Sequence, residues 1–141
     1  MSISVNDSGI VVATARSERA DAVDLVRGFM ESLAQQDLAA ASRGLAAGFR
    51  MVISGGHEFA ALADFLAFSR KRYAAVRKHI DGIEACEAPV GVSVYLTGTM
   101  SGQWLDGTPF ERVRFCDRFL VRDARILELH TWSDLAEFRP R

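Results

Sequence analysis

The run Val113-Arg114-Phe115-Cys116-Asp117-Arg118-Phe119-Leu120-Val121 sets one carboxylic acid in an apolar alternation. Successive side chains of a strand point to opposite faces. Val113, Phe115, Asp117, Phe119 and Val121 therefore share one face, and Arg112, Arg114, Cys116, Arg118 and Leu120 the other. An ionised carboxylate buried alone is very costly, so Asp117 must be paired or held protonated with a raised pKa. A carboxyl perturbed in this way can donate a hydrogen bond at neutral pH or move a proton to and from a ligand. Asp117 is the candidate catalytic residue on that ground. The plainer reading makes it an acceptor for a neighbouring tyrosine or arginine that only fixes the core. Residue types leave both open.

Other chemistry is thinner. No two of His57, His79 and His130 stand at i, i+3 or i+4, and no HExxH or CxxC spacing occurs, so neither a metal nor a cofactor is expected. His57 reads as a polar loop residue, or as one at a pocket mouth. Ser54-Gly55-Gly56 and Thr97-Gly98-Thr99 fit neither a phosphate loop nor a nucleophile elbow. Cys86 and Cys116 have no activating histidine nearby and read as packing thiols, reduced in a cytoplasmic protein. The basic run 70–78 reads as a solvated helix face. Only Tyr73 interrupts it, which argues against a nucleic-acid surface.

These residues sit in a chain of 141, 49% hydrophobic and 25% charged, with a formal charge of -1. That is the composition of one soluble domain without general attraction to phosphate or anionic lipid. Residues 1–16 read as a flexible arm, in which Ile3 and Val5 could form a short strand, and 17–138 as the domain. The first seven residues lack the basic charge of an export signal, and no stretch approaches the ~20 apolar residues of a membrane helix. The tail 138–141 should fray. A helix is predicted at 18–35 from the stripe Ala22, Leu25, Val26, Phe29 and Leu33. A second follows at 38–46, capped by Asp37 and ended by Gly48. A strand is predicted at 49–53 and a third helix at 59–76, its stripe running through Leu62, Phe65, Leu66, Ser69, Tyr73 and Val76. From Lys78 the period becomes two, giving strands at 78–87, 91–104, 110–122 and 125–133. Asp106-Gly107 and Asp123-Ala124 form the tight turns. Helices first and antiparallel strands last make an α+β fold.

That element order, with the segment Arg114 to Ile126 and the ending Trp132-Ser133-Asp134-Leu135, resembles the SnoaL-like branch of the nuclear transport factor 2-like superfamily over roughly residues 18–138. Its closing hairpin usually turns on Asp-Gly; here Ala124 stands at the Gly position. The resemblance implies a cone-shaped, strongly curved antiparallel sheet wrapped around three N-terminal helices, with a pocket at its open end. Compared with ketosteroid isomerases, the late-strand acid falls on Asp117, the helix-one tyrosine on Phe29 and the first-strand base on Ile53. One of three groups is kept, which speaks against that reaction. The catalytic aspartate of limonene-type epoxide hydrolases falls on Thr131, which speaks against that one too. Both comparisons turn Leu129, Thr131 and Ser133 inward, and Leu127 is expected on the same face.

The resemblance implies a small-molecule-binding protein, an isomerase, cyclase or dehydratase if it is an enzyme. Its cone would hold a hydrophobic ligand against Phe29, Ile53, His57, Phe65, Ser69, Tyr73, Phe115, Phe119, Leu129 and Thr131, with Asp117 as acid/base or hydrogen-bond donor. The alternative is a non-catalytic binding or dimerisation module with a filled pocket. The outer sheet face, carrying Tyr95, Thr97, Thr99, Arg112, Arg114, His130 and Trp132, is expected to join two copies, since an exposed tryptophan is unusual.

Overall fold

The computed structural model describes the backbone of residues 3–5, 11–13 and 15–140, and side chains from Glu18 to Pro140. Two short strands, β1 (Ile3–Val5) and β2 (Val11–Ala13), pair antiparallel. The rest of the expected arm, residues 1–2, 6–10 and 14, lies outside the described residues. Helix α1 (Ala15–Ala34) buries Ala22, Val26 and Phe29 from its apolar stripe. The Asp37 carboxylate accepts a hydrogen bond from the Ala40 N–H at 3.0 Å and starts α2 (Leu38–Arg43). Gly44, rather than Gly48, ends that helix, and the chain passes straight into β3 (Leu45–Val52). The turn at Gly55 and Gly56, both with positive φ, returns the chain into β4 (Glu58–Phe59), a two-residue strand too short to show a period.

Helix α3 (Leu62–Arg70) is shorter than the expected 59–76. Its stripe continues in sequence only by coincidence of spacing. Tyr73, Ala74 and Ala75 already belong to the long edge strand β5 (Tyr73–Ala88). Then follow β6 (Gly91–Trp104), β7 (Pro109–Arg122) and β8 (Arg125–Ser133), and a final 3-10 turn at Leu135–Phe138. The Trp104 indole N–H donates to the Phe138 carbonyl at 3.0 Å, so the chain is held as far as Phe138, where fraying was expected to begin. No described helix is long and apolar enough to cross a membrane.

The six strands lie in the order β4-β3-β8-β7-β6-β5, antiparallel except for the β3–β8 pair. The curved sheet does not close on itself. Register shifts explain the curvature. Ala74 and Asp81 are extra residues on β5, and Glu111 with Arg112 faces Ser101 alone. Such bulges bend a strand and sharpen its twist. Opposite them, Gly98 lets β5 and β6 approach closely; a Cβ there would run into the main-chain carbonyl of His79. One more shift places Leu127 as an extra residue on β8. It flips the alternation there, so Ile126 is the fully buried residue and Leu127 is half-buried, against the expected inward Leu127.

Candidate functional site

Val113, Phe115, Asp117, Phe119 and Val121 of β7 are all buried, and their shared face looks onto the helices. Asp117 is 1% exposed. It stands between Leu96 of β6 and Thr131 of β8. The Thr131 hydroxyl donates to its Oδ1, and the Lys78 ammonium donates to its Oδ2 at 2.7 Å. Burial pushes the Asp117 carboxyl above the ordinary carboxylate range, and the Lys78 charge and hydrogen bond pull against that shift. Among the described residues no arginine reaches the carboxyl; its cationic partner is a lysine from the edge strand β5, two strands away.

Lys78 is where the basic run departs from a solvated helix face. On β5 it pairs across from Met100 and turns inward, with Nζ 4.6 Å from the centre of the Phe115 ring. Its side chain is 26% exposed, so one member of the pair is sealed and the other reaches water. Sequence reasoning missed Lys78 because the helical spacing of 59–76 ran into it. The bulge at Asp81 then put it out of phase with Ile83 and Ala85. Its parity with Ile80 was the available signal.

The other expected pocket residues lie in several places. Phe29 meets Phe119 edge-on at 5.7 Å, and Leu129, opposite Phe119, completes the buried wall. Phe65 packs with Phe59 at 5.8 Å, and the exposed His57 sits 4.8 Å from Phe68. Ser69 is half-buried near the end of α3, and Ile53 is buried just past β3. Tyr73, expected on a helix, opens β5 and packs with Trp104 at 5.2 Å and Phe110 at 6.2 Å. Burial raises its phenol pKa, while Arg72 and Arg139 oppose the rise. Two open hollows, of about 600 and 470 Å³, lie at the other end of the sheet around Leu45 and Ala46, and neither is lined by Asp117.

The outer sheet face is charged and aromatic. Glu128 pairs with Arg118 at 3.3 Å and His130 at 3.5 Å, and the His130 ring stacks on Trp132 at 5.8 Å. Trp132 is 53% exposed. Arg114 pairs with Asp134 at 2.6 Å, and Arg112 is exposed on its bulge. Cys116, behind Asp117, has its thiol pKa raised by burial and by the Asp117 charge, which makes it less reactive. Among the described residues no three His, Cys, Asp or Glu side chains gather as a metal site.

No family model matches the sequence, and no curated protein matches it. Solved structures do. A nuclear transport factor 2-like protein of unknown function from Burkholderia pseudomallei superposes with a TM-score of 0.70 at 20% identity, covering 84% of this chain and 94% of that one. A protein assigned as a SnoaL-like polyketide cyclase from a Jannaschia species gives 0.72 at 13% identity over 90% and 93%. An epoxide hydrolase of M. tuberculosis gives 0.66 at 20% identity over 84% and 86%. Identities this low speak to the fold. The bulged, unclosed sheet, the helices against its inner face and these neighbours give the chain the nuclear transport factor 2-like fold.

Proposed function

We propose that the chain binds a hydrophobic small molecule at the inner face of its curved sheet, with Asp117 as the acid/base or hydrogen-bonding group. The observation that carries this is the Asp117–Lys78 pair: an ionisable carboxyl 1% exposed, tied to an ammonium that water can reach. A carboxyl pushed up by burial and bonded to a cation can gain or lose a proton when a ligand displaces water from that cation. Structural neighbours assigned as polyketide cyclases and as an epoxide hydrolase support small-molecule chemistry on this fold. An isomerase, cyclase or dehydratase reaction can use Asp117 as its acid/base group.

The test is a thermal-shift screen of aromatic and polycyclic ketones and acids against the wild type and Asp117→Asn. Wild type should be stabilised by some members, and Asp117→Asn should bind them with altered affinity. A wild type that no member stabilises would overturn the proposal.

A second reading has its own support. Asp117 is sealed, and the Phe29–Phe119 contact fills the space beside it. On that reading the pair holds the wall together and the protein is a non-catalytic binding or dimerisation module. Either reading includes a homodimer through the outer face, argued from exposed Trp132 and Tyr95.

A further inference from the structure

The inner row of β5 carries a feature that the acid alone does not explain. Cross-strand partners share a face. Val76 lies opposite Gly102, which faces the buried Phe110, so Val76 points to the inner side. Yet Val76 is 40% exposed. The helices leave the inner wall uncovered there, two residues from Lys78. An apolar side chain and an ammonium are thus accessible side by side on a concave surface.

The ammonium also has capacity left. It carries three N–H donors. Among the described residues one goes to Asp117, and the other two have no protein acceptor. The Asp117 carboxylate needs no second cation, because Thr131 serves its other oxygen. More positive charge stands at the same end of β5. The Arg72 guanidinium lies 5.8 Å from the Tyr73 ring and 5.1 Å from the Phe68 ring, and Arg139 acts on the same phenol. The unused N–H donors of Lys78 favour an anion, and the apolar surroundings favour one with a hydrocarbon body.

We infer that Lys78 and Val76 form the binding place for an apolar mono-anion, a carboxylate or phenolate on a flat or polycyclic body. The anionic oxygen takes the free N–H bonds of Lys78, and the body lies along Val76 and the inner wall. Asp117 keeps Lys78 in place and is not displaced. This rests on the proposed ligand-binding reading and adds the ligand's charge and the residue that recognises it.

The experiment compares 2-naphthoate with neutral 2-naphthamide by calorimetric titration at pH 7. Wild type should bind the carboxylate at least tenfold more tightly. Lys78→Met alone would strand a buried carboxylate, so the variant is Lys78→Met with Asp117→Asn, which removes both charges. It should lose the preference. Equal binding of acid and amide by wild type would overturn the inference while leaving a ligand-binding inner face intact. A preference that survives in the double variant would also overturn it, since the anion would then be held elsewhere. No binding of either probe at millimolar concentration would overturn both readings. Should the double variant not fold, the wild type still decides. The chain has only two lysines, Lys71 and Lys78. With carbon-13 lysine, naphthoate should shift the Lys78 ε-carbon signal and leave Lys71 still; an unmoved Lys78 signal overturns the inference.

Discussion

Asp117 is more at ease protonated than its unfolded counterpart, because burial outweighs the help of Lys78. The folded state therefore binds its proton more tightly. This contribution to stability is fully present below the ordinary aspartate pKa and is lost as pH rises through the raised folded value. Asp117→Asn lacks this slope. Urea unfolding should show the wild type losing stability relative to Asp117→Asn as pH rises from about 4 toward neutrality; a difference that stays flat or grows the other way would refute the sign. A second residue-scale prediction concerns the β7–β8 turn, where Asp123 has φ 51° and Ala124 φ 57°. A left-handed alanine costs roughly 1–2 kcal/mol that glycine avoids. Ala124→Gly should raise the melting temperature by about 3–6 °C in a thermal scan. The missing turn glycine was visible in sequence, and so was the inward face of Asp117, because unbroken alternation exposes the odd residue. Lys78 was not, since its bond to Asp117 spans 39 residues of chain and no local pattern marks it.

Elements were legible where one period ran long enough to be counted. The four long strands and α1 are of that kind. The errors cluster where one element flows into the next without a breaker. Neither a proline nor a glycine stands between Ser69 and Gly82, so α3 and the start of β5 share one apolar spacing. Bulges were invisible for a related reason: an extra residue looks like a slip in alternation until the partner strand is known. The close approach of β5 and β6 depends on Gly98. Gly98→Ala would press a methyl group into main chain that cannot yield, unlike a flexible side chain. It should cost about 3 kcal/mol by urea unfolding and lower the helical and sheet signals together. Gly28, inside α1 with open space around it, is the contrast. Gly28→Ala should stabilise by up to about 1 kcal/mol. A Gly98→Ala variant as stable as wild type would mean that β5 and β6 are not held so tightly.

At the scale of the molecule, the proposed homodimer is the feature to test. Burying Trp132 against a second copy would remove an aromatic surface from water, whereas a glutamate there would be desolvated without a partner. Trp132→Glu should sediment as a monomer where wild type sediments as a dimer; equal sedimentation of the two would place the contact elsewhere. Composition and charge foretold nothing of this face; alternation and the resemblance named its residues, and the strand register shows which of them stand opposite one another. The β3–β8 pairing carries a consequence for manufacture in the cell. Strand β3 ends at Val52, and the strand it must lie against ends at Ser133. A ribosome adding roughly 5–20 residues per second delivers that partner on the order of ten seconds later. Through that interval β3 lacks the strand that joins it to the rest of the sheet, and its apolar side chains stay uncovered on that side. The nascent chain is then a client for any holdase that grips exposed hydrophobic segments, and pausing between the codons for α3 and β8 would lengthen the wait.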